Sequence, residues 1–413
     1  VKKRERPMKR LLIPIFILLT SCGPSPVDKQ VIKNTQNLAA VQQDTAYITT
    51  ETNTTLISIN DGEAGAIVDG AGQAVADSIT VINLSPMSAP VIRTVYGLAS
   101  STLMGAPHAA VIGHYGIVTN HSLRVDQNGS FVNDATDVAG KNQVVVMDLR
   151  TLTVTDSVQL DAHPWLAKAH ADNERVVVGL SDGWLVLTLN SQGLITEKTR
   201  STFDTSVISF DLSSDGSSIL AGVQGVSGEQ WLAKFFLRKD STVVLDSKTN
   251  AQDFVVDAPF APRIAPNGKT ALVLNSGGFS DGVLDDVLVV DLVKNRVIDN
   301  VAQVSDGLES LVIHPSGEFA VIACLNAMPW SVTSHLAVIS LTPDSAELLY
   351  SLPVEALPEG IEFSKSGSQL FVGSTLANHI SVYAVEGMML KRSPLVLSVG
   401  EGHAALGITF GIM

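Results

Sequence analysis

Two cysteines in 413 residues, Cys22 and Cys324, exclude a framework of disulfides, so an ordered body must rest on its buried core. Charge is also scarce. Only 16% of residues are charged, and 27 Lys and Arg face 41 Asp and Glu, for a formal charge of −14. Nucleic acid and anionic lipid both call for basic patches, so neither is expected as a partner surface. No H-E-x-x-H, no C-x-x-C and no G-x-G-x-x-G between strand and helix occurs, which removes the common zinc-protease, thiol-redox and dinucleotide signatures. GFSDG (278–282) matches G-x-S-x-G, but a nucleophile elbow needs a helix after it, and VLDDVLVVDL reads as a strand. NGKT (267–270) has Arg263 where a phosphate loop needs its first glycine. The acidic loop with Asp281, Asp285 and Asp286 lacks the ligand spacing of an EF-hand and reads as a solvated hairpin tip.

What the chain has is a repeated β pattern. Residues 286–325 read as four strands: VLVVDL, RVIDNVA, ESLVI and EFAVIACL, separated by KN, SDGL and HPSG. Apolar runs of this kind are buried on both faces and need neighbours, so the unit should recur. The residue ending the VVDL strand has counterparts at Leu84, Leu149, Leu189, Leu237, Leu341 and Ala384, with Leu292 the member in this stretch. Successive gaps are 65, 40, 48, 55, 49 and 43 residues; after the first, these sit near the period of about 40–50 residues of four-stranded propeller blades. Turns SSDG (213–216), APNG (265–268), HPSG (314–317) and SKSG (364–367) recur in step. The spacing predicts an all-β, seven-bladed propeller. The long first gap holds residues 113–143, whose polar half is expected to extend beyond its blade. EGHAALGITF (401–410) resembles the phrases that open other blades, so this last strand is expected to complete the first blade and remove an open edge.

LVIHPSGEFAVIACL, RIAPNGKTALVLN, and IEFSKSGSQLFVGS with NHISVYAV resemble the YVTN repeats of seven-bladed propellers, a group related to bacterial lactonase-like propellers. The resemblance spans roughly residues 55–413. It implies the architecture and leaves activity open, since this fold carries enzymes, scaffolds and binding proteins.

Ahead of the propeller, Lys9 and Arg10 follow a start expected at Met8, and LLIPIFILLT (11–20) has signal-peptide length. LTSC (19–22) resembles the lipobox of bacterial lipoproteins. That implies a signal peptide over 1–21, cleavage before Cys22 and acylation there, with two or three chains giving stable membrane anchoring. Gly23 rather than Asp after the cysteine points to the outer membrane of a Gram-negative cell. Residues 22–54, rich in Gln, Asn and Thr, read as a flexible tether; about thirty extended residues reach on the order of 100 Å. Cys324, in the apolar FAVIACL, is expected to be a buried free thiol.

Candidate site residues come from the loops that lead into the innermost strands, where seven positions converge on one channel mouth. These are His108 in APHAAVI, His163 in DAHPWLA, Arg263 in FAPRIA, Glu309 in GLESLVI, Glu359 in LPEGIEF, and Glu401 and His403 in GEGHAALGI. Counting back eight residues from the turn glycine gives Glu309 and Glu359, but not the histidines. Imidazoles and carboxylates gathered there suit a divalent metal, zinc, manganese or calcium, with His108, His163, Glu309, Glu359 and His403 as ligands. They also suit acid–base work on a small substrate. The lactonase-like resemblance carries to His108, and loosely to Arg263 and Glu309; a complete catalytic set is not present. The expectation is therefore a monomeric, membrane-anchored binding or scaffold propeller for an envelope protein, glycan or small molecule. The alternatives are a metal-binding protein and a lactonase-like hydrolase.

Overall fold

The computed structural model describes residues 54–61, 78–85, 89–96, 109–120, 124–125, 131–132, 142–251, 253–277, 282–325, 334–355, 357–374, 377–400 and 404–412. Within them, 28 of the 30 strands form seven four-stranded antiparallel sheets. Each innermost strand touches those of the two adjacent blades, round to the starting point, so the sheets form a closed ring. All seven sequence landmarks fall on the third strand of a blade or directly after it.

Blade one takes its innermost strand from the other end of the chain. Ala404–Ile412 pairs antiparallel with Thr54–Asp61, from Asp61 opposite Ala404 to Thr54 opposite Ile412. This is the closure expected from EGHAALGITF. The extra residues of the first long gap lie in blade two, between Tyr115–Asn120 and Gln143–Asp148, and carry a separate two-stranded ladder of Arg124–Val125 with Phe131–Val132.

Strand alternation holds the ring together, because successive side chains point to opposite faces of each sheet. In blade one, Leu56 and Ile82 pack against blade seven, while Ile57, Ile79 and Val81 pack against blade two. In blade three, Val176 and Val178 face blade two and Val177 faces blade four. Seven apolar clusters result, one centred on each blade–blade seam. Unbroken apolar runs such as VLVVDL are the mark of this two-sided burial.

Two glycines are required by close approach. A Cβ on Gly222 would run into the carbonyl oxygen of Pro259 in the next blade, backbone against backbone. Gly367 adopts φ +77° in its turn, and its Cβ would meet the His314 ring, whose Nε2 bonds the Gly367 carbonyl at 3.1 Å. Cys324 is free and fully buried, and burial pushes its thiol up to about 12.

Candidate functional site

The site follows from the register of the innermost strands. In blades three to seven, the hairpin after this strand closes through one backbone bond of constant form: His170 to Arg175, Ser213 to Ser218, Ala265 to Thr270, His314 to Phe319 and Ser364 to Gln369. The turn residue with positive φ is Asn173, Gly216, Gly268, Gly317 or Gly367. Earlier in each of these strands the ladder carries one extra residue, a β-bulge. It falls between Pro164 and Leu166, Val207 and Ser209, Phe260 and Arg263, Leu308 and Ser310, and Pro358 and Ile361. A bulge re-aims the side chains around it.

Eight residues before the turn glycine or asparagine stand Trp165, Ile208, Phe260, Glu309 and Glu359. Glu309 and Glu359 therefore share a register at the mouth where the chain enters these strands, the loop mouth. Glu309 is buried and Glu359 half-buried, and Ser310 Oγ donates to the Glu359 carbonyl across the seam. His163 is out of that register. It precedes its strand, and its ring lies 4.4 Å from that of Trp165, which holds the equivalent position and donates to Ser206 Oγ at 3.0 Å. Cys22, His108, Glu401 and His403 lie outside the described residues. Among the described residues no three His, Cys, Asp or Glu side chains are grouped to hold a metal, so His163, Glu309 and Glu359 do not form such a group by themselves.

The opposite mouth, where the hairpins turn, holds the more developed site. Five residues before the turn come Lys168, Asp211, Arg263, Val312 and Glu362, each paired in the same way with the second strand. Four of these five are charged. Lys168 Nζ lies 3.3 Å from Asp211 Oδ1 across the seam of blades three and four, and Asp211 Oδ2 accepts the Ile264 amide of blade five at 2.9 Å. Glu362 of blade seven feels both Arg263 and Lys168, two and three blades away round the ring, so the groups converge inside the channel. Arg263, proposed from sequence for the loop mouth, belongs to this set.

Burial moves the pair toward each other. It lowers the Lys168 ammonium, with Arg263 adding to the effect and Asp211 and Glu362 opposing it. It raises the Glu362 carboxyl, against the opposing influence of Arg263 and Lys168. A cavity of about 1070 Å³ opens at this mouth, with Glu362, Lys365, Asn173, Glu174, Asn190 and His114 among its walls. A concavity of that size with charged and polar walls has room for a small polar molecule. Sequence reasoning missed Lys168, Asp211 and Glu362. Lys168 and Asp211 are lone charges in apolar strands and Glu362 shares its strand with Glu359; a count of five back from the turn would have found all three.

Two other polar clusters are internally committed. Burial raises the Glu355 carboxyl, but bonds from His379 (2.8 Å) and Arg392 (2.6 Å) outweigh it and hold the group at about 2. Asp285 accepts from Ser276 Oγ and from the amides of Gly277 and Gly307, yet burial, with the nearby Asp306 carboxylate adding, pushes it up to about 7.

No family model matches the chain, and no curated relative matches it. Among solved structures, a putative 6-phosphogluconolactonase from Bacteroides fragilis is 12% identical with a TM-score of 0.58, over 88% of this chain and 99% of that one. The periplasmic gluconolactonase of Pseudomonas aeruginosa is 13% identical with a TM-score of 0.57, over 87% and 99%. Hydrazine synthase of Kuenenia stuttgartiensis is 18% identical with a TM-score of 0.52, over 69% and 78%. Likeness at these identities establishes the fold alone.

Proposed function

We propose that the chain is an extracytoplasmic, lipid-anchored propeller that binds a small polar ligand in the hairpin-mouth cavity. The observation that carries this reading is the 1070 Å³ cavity with Glu362 in its wall, backed by Lys168, Asp211 and Arg263 inside the channel. A propeller built only as a spacer has no need of four charges in strands that otherwise bury apolar groups.

Thermal denaturation of the purified chain with panels of sugars, sugar acids, amino acids and lactones tests it. One class is expected to raise Tm saturably, because a ligand that binds only the folded state stabilises it by mass action. Lys365→Trp, which narrows the cavity, is expected to weaken that ligand at least tenfold. No stabilising class, or unchanged affinity in Lys365→Trp, would sink the reading. Anchoring is tested separately. Cys22→Ser is expected to abolish metabolic palmitate labelling and release the protein from the membrane fraction; retention of both would refute lipidation at that residue.

A second reading is hydrolysis of a lactone. The solved neighbours described as gluconolactonases favour it, and so do the opposed shifts of Lys168 and Glu362, which bring an acid and a base toward neutral pH. Turnover of gluconolactone that is lost in Glu362→Gln would support hydrolysis. Binding without turnover would leave the first reading.

A further inference from the structure

Arg263 is the group in the channel whose charge is least answered. The residue is 8% exposed, and its recorded hydrogen bond runs from Nη1 to the carbonyl of its own neighbour Pro262 at 3.0 Å. Among the described residues no carboxylate lies within ion-pair distance of it. A guanidinium keeps its charge at any physiological pH and offers five N–H donors in a planar fork. Buried charges are ordinarily paired. The nearby carboxylates are used elsewhere or leave it unpaired. Asp211 takes Lys168 and the Ile264 amide, and Glu362 accepts the Phe363 amide at 3.2 Å.

The backbone that presents Arg263 is unusual. Ala261 has φ of 42°, a left-handed value that costs an alanine energy, whereas the positive φ of Ala258 recurs at Gly307 and Leu357, ten residues before the turn in blades six and seven. Ser209 Oγ, from the adjacent blade, accepts the Ala261 amide at 3.1 Å. Ala261 lies in the bulge that precedes Arg263, and strain held by the surroundings is a common feature of functional positions. The Lys168 side chain is 22% exposed although it sits on an innermost strand, and Glu362, at the equivalent place in blade seven, is in the cavity wall.

We infer that Arg263, with Lys168 at the equivalent place in blade three, binds the carboxylate of a small organic anion that enters through the hairpin-mouth cavity. This rests on the reading of that cavity as a ligand site and names the chemical class of the ligand. The planar fork matches a carboxylate in two parallel hydrogen bonds. Charge balance points the same way. Lys168 and Arg263 supply two positive charges, Asp211 one negative, and burial disfavours the second negative charge on Glu362, so a single negative charge from the ligand is better matched than two. Binding then favours the protonated form of Glu362. The charged and titratable groups around Glu362 are Lys168, Asp211 and Arg263 in the channel and Glu174, Lys365 and His114 at the cavity.

The test is isothermal titration calorimetry of the purified chain with lactate, pyruvate, benzoate and inorganic phosphate, between pH 5.5 and pH 8, with phosphate compared at pH 8, where it is a dianion. At least one carboxylate is expected to bind, more tightly than phosphate and more weakly as pH rises. Arg263→Gln is expected to weaken it at least tenfold, and Arg263→Lys, which keeps the charge and loses the fork, by a smaller factor. In Glu362→Gln the pH dependence is expected to flatten. If Arg263→Gln does not fold, Arg263→Lys and the wild-type pH profile still decide. Preference for phosphate, no binding of any carboxylate, or a change of less than twofold in both Arg263 variants would overturn the inference. A neutral ligand bound equally by wild type and Arg263→Gln would overturn it while leaving the cavity as a binding site.

Discussion

A chain truncated after residue 403 is expected to lose its cooperative unfolding transition and to bind a hydrophobic dye at temperatures where the full chain is folded. The deletion removes Ala404–Ile412, the innermost strand of blade one. Thr54–Asp61 then becomes an open edge. The ring also loses the strand that touches the innermost strands of blades two and seven. Two of the seven apolar seams, those holding Leu56 and Ile57, are left beside a gap. Total stabilities of folded proteins are only about 5–15 kcal/mol, so unpairing a whole innermost strand and opening the ring is expected to exceed what the fold can spare. The closure is also the costliest contact to make, since Thr54 and Ile412 are 358 residues apart in the chain and closing such a loop costs roughly 5 kcal/mol of chain entropy. A synthetic peptide of residues 404–412 added to the truncated chain is expected to restore part of the transition. A truncated protein that melts as sharply and as high as the full chain would show that the seam is dispensable.

The second large effect concerns Asp285. Its carboxyl is pushed up to about 7 in the folded protein by burial, with Asp306 adding to it; the unfolded value is near 3.9. The folded state therefore holds a proton that the unfolded state has released between about pH 4 and pH 7. This contribution to stability is fully present below about pH 4, falls as pH rises through that window, and is lost above it. Three units correspond to about 4 kcal/mol at most. Asp285→Asn cannot ionise, although it exchanges one acceptor oxygen for an amide facing the Gly277 or Gly307 N–H. Urea unfolding of both proteins at pH 4.5 and pH 8 is expected to show the wild type losing at least 2 kcal/mol relative to the variant across that interval. Parallel pH profiles would mean that Asp285 ionises in the fold at no such cost.

Much of the architecture was legible because two-sided burial writes itself into strands such as VLVVDL and FAVIACL. The turns were legible because SSDG, APNG, HPSG and SKSG place glycine where φ is positive. Blade three used Asn173 for the same conformation, and HADN (170–173) was not recognised as a fifth member. The closing strand was legible from the likeness of EGHAALGITF to other blade openings. The site was less so. Each innermost strand of blades three to seven carries one extra residue, and a bulge leaves no signature in composition or alternation. Eight residues back from the turn leads to Glu309 and Glu359 in the bulge itself, whereas five leads to Lys168, Asp211, Arg263 and Glu362 on its near side. Arg263 drew attention for its place in FAPRIA, but its partners sit in other blades, and only closure of the ring brings them together.

That shared register has a consequence for how such proteins diversify. In blades three to seven the residue five before the turn is paired identically, while the seams are built mainly by its neighbours in sequence. In blade six this place is taken by Val312, which joins the seam with blade seven, whereas blades three, four, five and seven carry a charge there. The channel thus resembles a row of sockets with a common fitting. A substitution in one socket changes the charge offered to a ligand and leaves the apolar seams largely as they were. Inheritance of the frame and inheritance of the specificity are separable in such a design, and chains that share only a tenth of their residues can keep one while replacing the other.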